Sequence, residues 1–196
     1  MKPAQLLVTF VLGIGSWYAA AQAAAIDPAV QAKANQGDPA AEVSVGEWYA
    51  KAGGAAQDSD AAAENWNKAT EWYIKAASSS YVPAEIHLAE AYGYGRGVPR
   101  DKVKAAEWYR KAADQGDAGA QGTLAMLYTM GQGVAQDDAE AYFWFDLAAS
   151  AESPNQQRYL TNRQNVGTRI TAEQLAAVQQ RLHKWKAAHP LAGAAK

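Results

Sequence analysis

An aromatic pair returns every 36 residues along this chain, as Trp72-Tyr73, Trp108-Tyr109 and Trp144-Phe145. The same interval relates Ala84 to Ala120, Leu88 to Leu124, Tyr92 to Tyr128, Gly95 to Gly131, Gly97 to Gly133, Val98 to Val134 and Asp101 to Asp137. Ala76-Ala77, Ala112-Ala113 and Ala148-Ala149 close each period. A fixed period of this length marks an array of supersecondary units. None can bury its apolar face without a neighbour, and about three are needed for a stable stack. An earlier half-period aligns at a spacing of 43, with Ala41, Val45 and Tyr49 in the places of Ala84, Leu88 and Tyr92. Its seven additional residues fall within 53–63, a stretch rich in Gly, Ala, Asp and Ser that predicts a loop. The units are therefore about 38–80, 81–116 and 117–152.

Each unit reads as two helices. In the second, Ala84, Leu88, Ala91 and Tyr92 lie at offsets 0, 4, 7 and 8, and Ala105, Trp108, Tyr109 and Ala112 at 0, 3, 4 and 7. Both patterns are one face of a 3.6-residue helix. Between them Gly95 suits the left-handed conformation that ends a helix, and Asp101 suits the N-cap of the next. Alanines at 105, 112 and 113 let backbones approach, and the aromatic pair fills the space that remains. The expected fold is an all-α superhelix, with Trp72, Tyr73, Tyr92, Gly95, Gly97, Trp108, Tyr109, Tyr128, Gly131, Gly133 and Trp144 as its structural core.

The run Ala84, Leu88, Tyr92, Gly95, Gly97-Val98, Asp101, Lys104-Ala105, Trp108-Tyr109, Lys111-Ala112-Ala113 and Gly116 resembles the Sel1-like repeats, relatives of the tetratricopeptide repeats. The third unit departs from that run at Glu140, Phe145 and Leu147, in the places of Lys104, Tyr109 and Lys111. The first keeps Lys68-Ala69, Trp72-Tyr73 and Lys75-Ala76-Ala77. The resemblance implies a protein-binding scaffold. Bacterial members are often exported, as adaptors, regulators of envelope signalling or host-contact factors. A cysteine-rich subset is linked to β-lactam binding and hydrolysis. This chain has no cysteine, so that activity is not carried over, and disulfides and a lipid-modified N-terminal Cys are excluded as well.

The ends differ from the repeats. Residues 1–25 combine Lys2, an uncharged apolar stretch from Leu6 to Tyr18, and two small-x-small sites ending at Ala23 and Ala25. They read as a secretory signal peptide cleaved at one of the two sites, with an uncleaved anchor as the alternative. The expected destination is the bacterial periplasm or the outside, with no stable membrane span once the signal is removed. Residues 26–37 are a lead-in, either loose or a short helix on the first unit. Ser153-Pro154-Asn155-Gln156 and Thr171-Ala172-Glu173-Gln174 read as capping boxes opening two helices within 153–188, the first closed by Gly167. Leu175, Val178, Leu182 and Trp185 form the stripe by which the second covers the open end of the stack, with a docking helix for a partner as the alternative, and 189–196 is a tail.

A net charge of -2, from 18 basic and 20 acidic residues, leaves no basic surplus for phosphates, so nucleic acid is not an expected partner. His87, His183 and His189 stand in no metal-binding spacing, and Gly93 to Gly97 follows a helix rather than a strand, so it reads as a turn. Neither a cofactor, a metal nor a catalytic residue is expected. In folds of this kind the first helix of each unit lines the concave side. Its face away from the core carries Val43, Glu47 and Lys51, then Ile86, Glu90 and Tyr94, then Gly122, Met126 and Met130. These positions vary between units, and several are apolar where a solvated face would be polar. They are the expected contact surface for another protein or a peptide segment. An adaptor or regulator, an immunity or inhibitor protein, an envelope enzyme acting on cell-wall or sugar substrates, and a structural link all remain open.

Overall fold

The computed structural model describes residues 25–56 and 58–189, leaving the signal-like segment, except Ala25, and the tail beyond His189 outside the described residues. Nine helices follow one another among those residues: α1 Pro28–Asn35, α2 Pro39–Ala55, α3 Ser59–Ala77, α4 Val82–Tyr94, α5 Lys102–Asp114, α6 Ala118–Met130, α7 Asp138–Ser150, α8 Gln156–Gly167 and α9 Ala172–Ala188. Among them no strand occurs, and no helix is long and apolar enough to cross a membrane. The units are the hairpins α2–α3, α4–α5 and α6–α7, each packed on the next in chain order, and the whole is an α-helical solenoid.

Local chemistry repeats with the period. Asp101 accepts from the amides of Val103 and Lys104, and Asp137 from those of Ala139 and Glu140. Such caps contribute about 1 kcal/mol each. Gly95 (φ 74°) and Gly131 (φ 65°) end α4 and α6 in the left-handed region. Asp101 and Asp137 then donate their amides to the carbonyls of Tyr92 and Tyr128, closing the two turns alike. Inside, Leu88 and Leu124 are fully buried among alanines, each contributing about 2 kcal/mol by removal from water. Trp72 and Trp108 are half-buried, each against the apolar cluster of its own first helix, whereas Trp144 is fully buried. One polar residue is buried per first helix, at Glu42, Glu85 and Gln121. Gln121 donates to the Ala113 carbonyl, and Glu85 accepts from Gln115.

Two expectations need correction. The extra residues of the first unit do not form a long loop. They lengthen α2 to 17 residues and α3 to 19, against 13 in each of α4 to α7, so that α2 runs to Ala55 and α3 starts at Ser59. Gly53 is helical and buried, and a Cβ there would lie 3.0 Å from the Trp66 ring, so this glycine serves helix approach rather than a turn. The box at Ser153 does not form either. Asn155 caps α8 without a side-chain bond, while Gln156 Nε2 donates to the Ala149 carbonyl and ties α8 back to the end of α7. Gly167 does close α8 as its last residue, and a Cβ there would lie 3.1 Å from the Tyr142 ring.

The ends of the stack are both covered by helix. The lead-in is helical, and Ile26, Val30 and Ala34 pack with Ala41, Val45 and Trp72. At the other end α8 and α9 both lie on α7. The Thr171 box is complete, with Thr171 and Gln174 each accepting from the other's amide. Val178 and Leu182 are buried in the last core cluster. Acidic Asp138, Glu140 and Asp146 on α7 pair with Arg169, Arg181, and both Arg163 (2.6 Å) and Lys186 (2.8 Å).

Candidate protein-binding groove

The first helices α2, α4 and α6 present three clefts in succession. The first, of 290 Å³, lies between α2 and α4 and is lined by Glu47, Lys51, Trp66, Tyr73, His87, Glu90 and Arg96 among others. The second, of 190 Å³, shares Glu90 with it and adds Tyr94, Tyr109, Thr123 and Leu127. The third, of 270 Å³, lies between α6 and α8, with Met126, Met130, Phe145, Asn162 and Asn165. Tyr73, Tyr109 and Phe145 therefore floor successive clefts at the same repeat position. The second residue of each aromatic pair serves core and groove at once.

Of the surface residues expected from the sequence, Glu47, Lys51, Glu90, Tyr94, Met126 and Met130 line these clefts. Tyr94 is 68% exposed, Met126 41% and Met130 50%, high values for side chains of their apolarity. Val43 and Ile86 do not belong to the surface. Val43 is buried in the cluster containing Ala69, Tyr73 and Leu88, and Ile86 is half-buried against the cluster of the third unit. Their equivalent, Gly122, is buried where a Cβ would meet the Tyr159 ring of α8 at 2.3 Å. This row faces the following unit or cap. The two rows one and two turns further along each helix face the groove.

His87 joins the first cleft, although nothing in its spacing marks it. Its Nε2 lies 3.1 Å from Glu47 Oε1 and its Nδ1 3.6 Å from Glu90 Oε2, and its ring stacks on Tyr73 at 4.5 Å. Glu47 and Glu90 are repeat-equivalent, so the imidazole bridges two units. Burial, the largest single effect, pulls the imidazolium down, but hydrogen bonds and charges from Glu90 and Glu47 together lift His87 above its ordinary value. Burial, reinforced by those carboxylates, keeps the Tyr73 phenol protonated. Among the described residues no cluster of His, Asp and Glu is arranged to hold a metal ion.

A pH dependence follows from the raised imidazole. Its contribution is complete below the unfolded value of about 6.5 and is lost as pH climbs through the higher folded value. Urea midpoints measured from about pH 5 to pH 8 should therefore fall more for the wild type than for His87→Gln. Parallel profiles for the two proteins would rule out a stabilising bridge.

The family model for the Sel1 repeat matches residues 39–81, 82–117 and 119–153. Among solved structures, the chain is similar to a protective antigen present in uropathogenic Escherichia coli strains that displays an SLR fold. That match has 27% identity and a TM-score of 0.56, covering 80% of this chain and 39% of that one. It is also similar to a Sel1 repeat protein from Oxalobacter formigenes, at 32% identity and a TM-score of 0.56, covering 65% of this chain and 49% of that one. The chain thus spans less than half the length of either structure. No curated protein matches it.

Proposed function

The chain belongs to the Sel1 repeat family, whose repeats generally mediate protein–protein binding, and from that premise we propose that it is an exported adaptor or regulator of the bacterial envelope. It grips an extended segment of another protein along the clefts of α2, α4 and α6. The observation that carries this reading is the exposure of Tyr94, Met126 and Met130 in successive clefts, at repeat positions the fold leaves free to vary. Aromatic and methionine side chains supply contact area and adapt to a partner's shape. Export is supported by the composition of residues 1–25. A relative characterised as a protective antigen is in keeping with a protein that reaches the cell exterior.

The test is capture of a partner from envelope extract of the cell that encodes the chain, titrated against immobilised protein. The double variant Tyr94→Ala, Met130→Ala should weaken capture about 30-fold, as loss of two anchoring contacts implies. Its far-UV circular dichroism should match the wild type, because both side chains are exposed. Undiminished capture by the double variant would remove these clefts as the site.

A further inference from the structure

We infer that the first two clefts receive carboxylates of the bound segment, so that the partner of this groove is an acidic peptide. This rests on the groove reading above and gives it a ligand chemistry. Four cations line these clefts: Lys51 and Arg96 in the first, Arg100 and Lys102 in the second. None of the four has a carboxylate partner among the described residues. The two carboxylates that line the same clefts, Glu47 and Glu90, both face His87. The acidic groups are thus both turned to one internal imidazole, and four cations against two carboxylates leave the charge facing a ligand positive. That contrasts with the third cleft, where Arg169 is already paired with Asp138.

Arg96 is also placed in advance. Its guanidinium lies over the Trp66 ring at 4.7 Å and over the Tyr94 ring at 4.9 Å. Cation–π contact with two rings holds the guanidinium in place and leaves its N–H groups available to a carboxylate. Thr70 Oγ lies 3.0 Å from both the Arg96 and the Trp66 carbonyl oxygens, and its one proton, shared between them, ties the loop beneath to α3. A carboxylate docked there meets donors whose ordering is largely complete, with Lys51 across the cleft. Neighbouring apolar side chains of the same peptide reach Tyr94, Tyr109 and Leu127. Electrostatic complementarity of this kind sets the choice of partner more than total affinity.

The experiment is selection from a random dodecapeptide display library on the full folded chain, with recovered peptides then titrated in solution. Asp or Glu should be enriched beside aromatic or aliphatic residues. Lys51→Gln, Arg96→Gln should weaken the selected peptides at least tenfold, with circular dichroism unchanged. Enrichment of Lys and Arg would overturn the inference, since Glu47 and Glu90 would then be the recognising groups. Equal affinity for a twelve-nucleotide oligothymidylate would also overturn it, by making the cleft an unselective anion trap. Apolar peptides without acidic residues, lost in Tyr94→Ala, Met130→Ala, would end the carboxylate proposal and leave the groove standing. Peptides indifferent to both double variants would end both readings.

Discussion

Replacing Gly133 by alanine is expected to destabilise the chain by about 2–5 kcal/mol, the sum of left-handed strain of about 1–2 kcal/mol and a backbone clash of about 1–3 kcal/mol. Gly133 sits at φ 74°, and a Cβ there would lie 1.9 Å from the carbonyl oxygen of Lys102, at the start of α5. Backbone cannot move aside as a flexible side chain can, so the third unit must separate from the second. Gly131, two residues earlier, is the internal control. Its φ is 65°, but a Cβ there would meet only Gln136, at 3.4 Å. Gly131→Ala should therefore cost only the strain, about 1–2 kcal/mol. Urea unfolding of both variants measures the difference. Equal midpoints would show that the inter-unit approach at Gly133 carries no energy.

The same contact recurs one period earlier, where a Cβ on Gly97 would lie 2.1 Å from the Trp66 carbonyl oxygen. Trp66 and Lys102 are themselves 36 residues apart, so their side chains vary while their backbone oxygens hold the same place. This explains why the fold was legible in the sequence. A glycine that sets the step between units, an aspartate that caps and an aromatic pair that fills each have one task per period, and repetition exposes the task. Where a residue's reason is not repeated, sequence patterns misread it. Gly53 looks like loop because composition cannot distinguish a glycine needed for φ from one needed for an approaching ring. Ser153 has the spacing of a capping box, but Gln156 gains more by reaching the Ala149 carbonyl across a helix boundary.

The groove was legible in part for the same reason. Helical periodicity identifies which rows leave the core of the hairpin. It does not say which of those rows meets the next hairpin, because that depends on the angle between units. Hence Glu47, Glu90, Tyr94, Met126 and Met130, placed by periodicity on the outward rows, line the clefts, while Val43 and Ile86, placed on the same contact surface, pack between units. His87 and Arg96 were missed because each acts through a neighbour far along the chain. His87 reaches Glu47 across 40 positions, and Arg96 lies over the ring of Trp66 in the preceding hairpin. No local motif records such a pair.

Truncating Trp144 to alanine is expected to cost about 3–5 kcal/mol, the range for removing a large aromatic side chain from a core. The same change at Trp72 or Trp108 should cost about half as much, although the three tryptophans are repeat-equivalent, because burial scales the loss. Trp144 is 1% exposed, set edge-on against Phe143 at 5.0 Å and clustered with Tyr159, Val166, Val178 and Leu182 from the two closing helices. Trp72 and Trp108 are half-buried, and their outer faces are covered by Lys75 and Lys111, whose Nζ atoms lie 3.8 Å and 3.6 Å from the ring centroids. In the third unit that lysine place is Leu147, itself buried, so the surface is dry where the others are wet. The indole Nε1 of Trp144 is buried and meets no hydrogen-bond partner among the described residues. Trp144→Phe should therefore be mild, since it loses some volume but also removes an unsatisfied donor whose burial costs about 1–3 kcal/mol. Thermal and urea unfolding of the alanine series and Trp144→Phe separate the two terms. If Trp144→Ala proved no worse than Trp72→Ala, the closing helices would not be sealing the stack, and the protein would have to be regarded as an open-ended array with α8 and α9 merely resting on it.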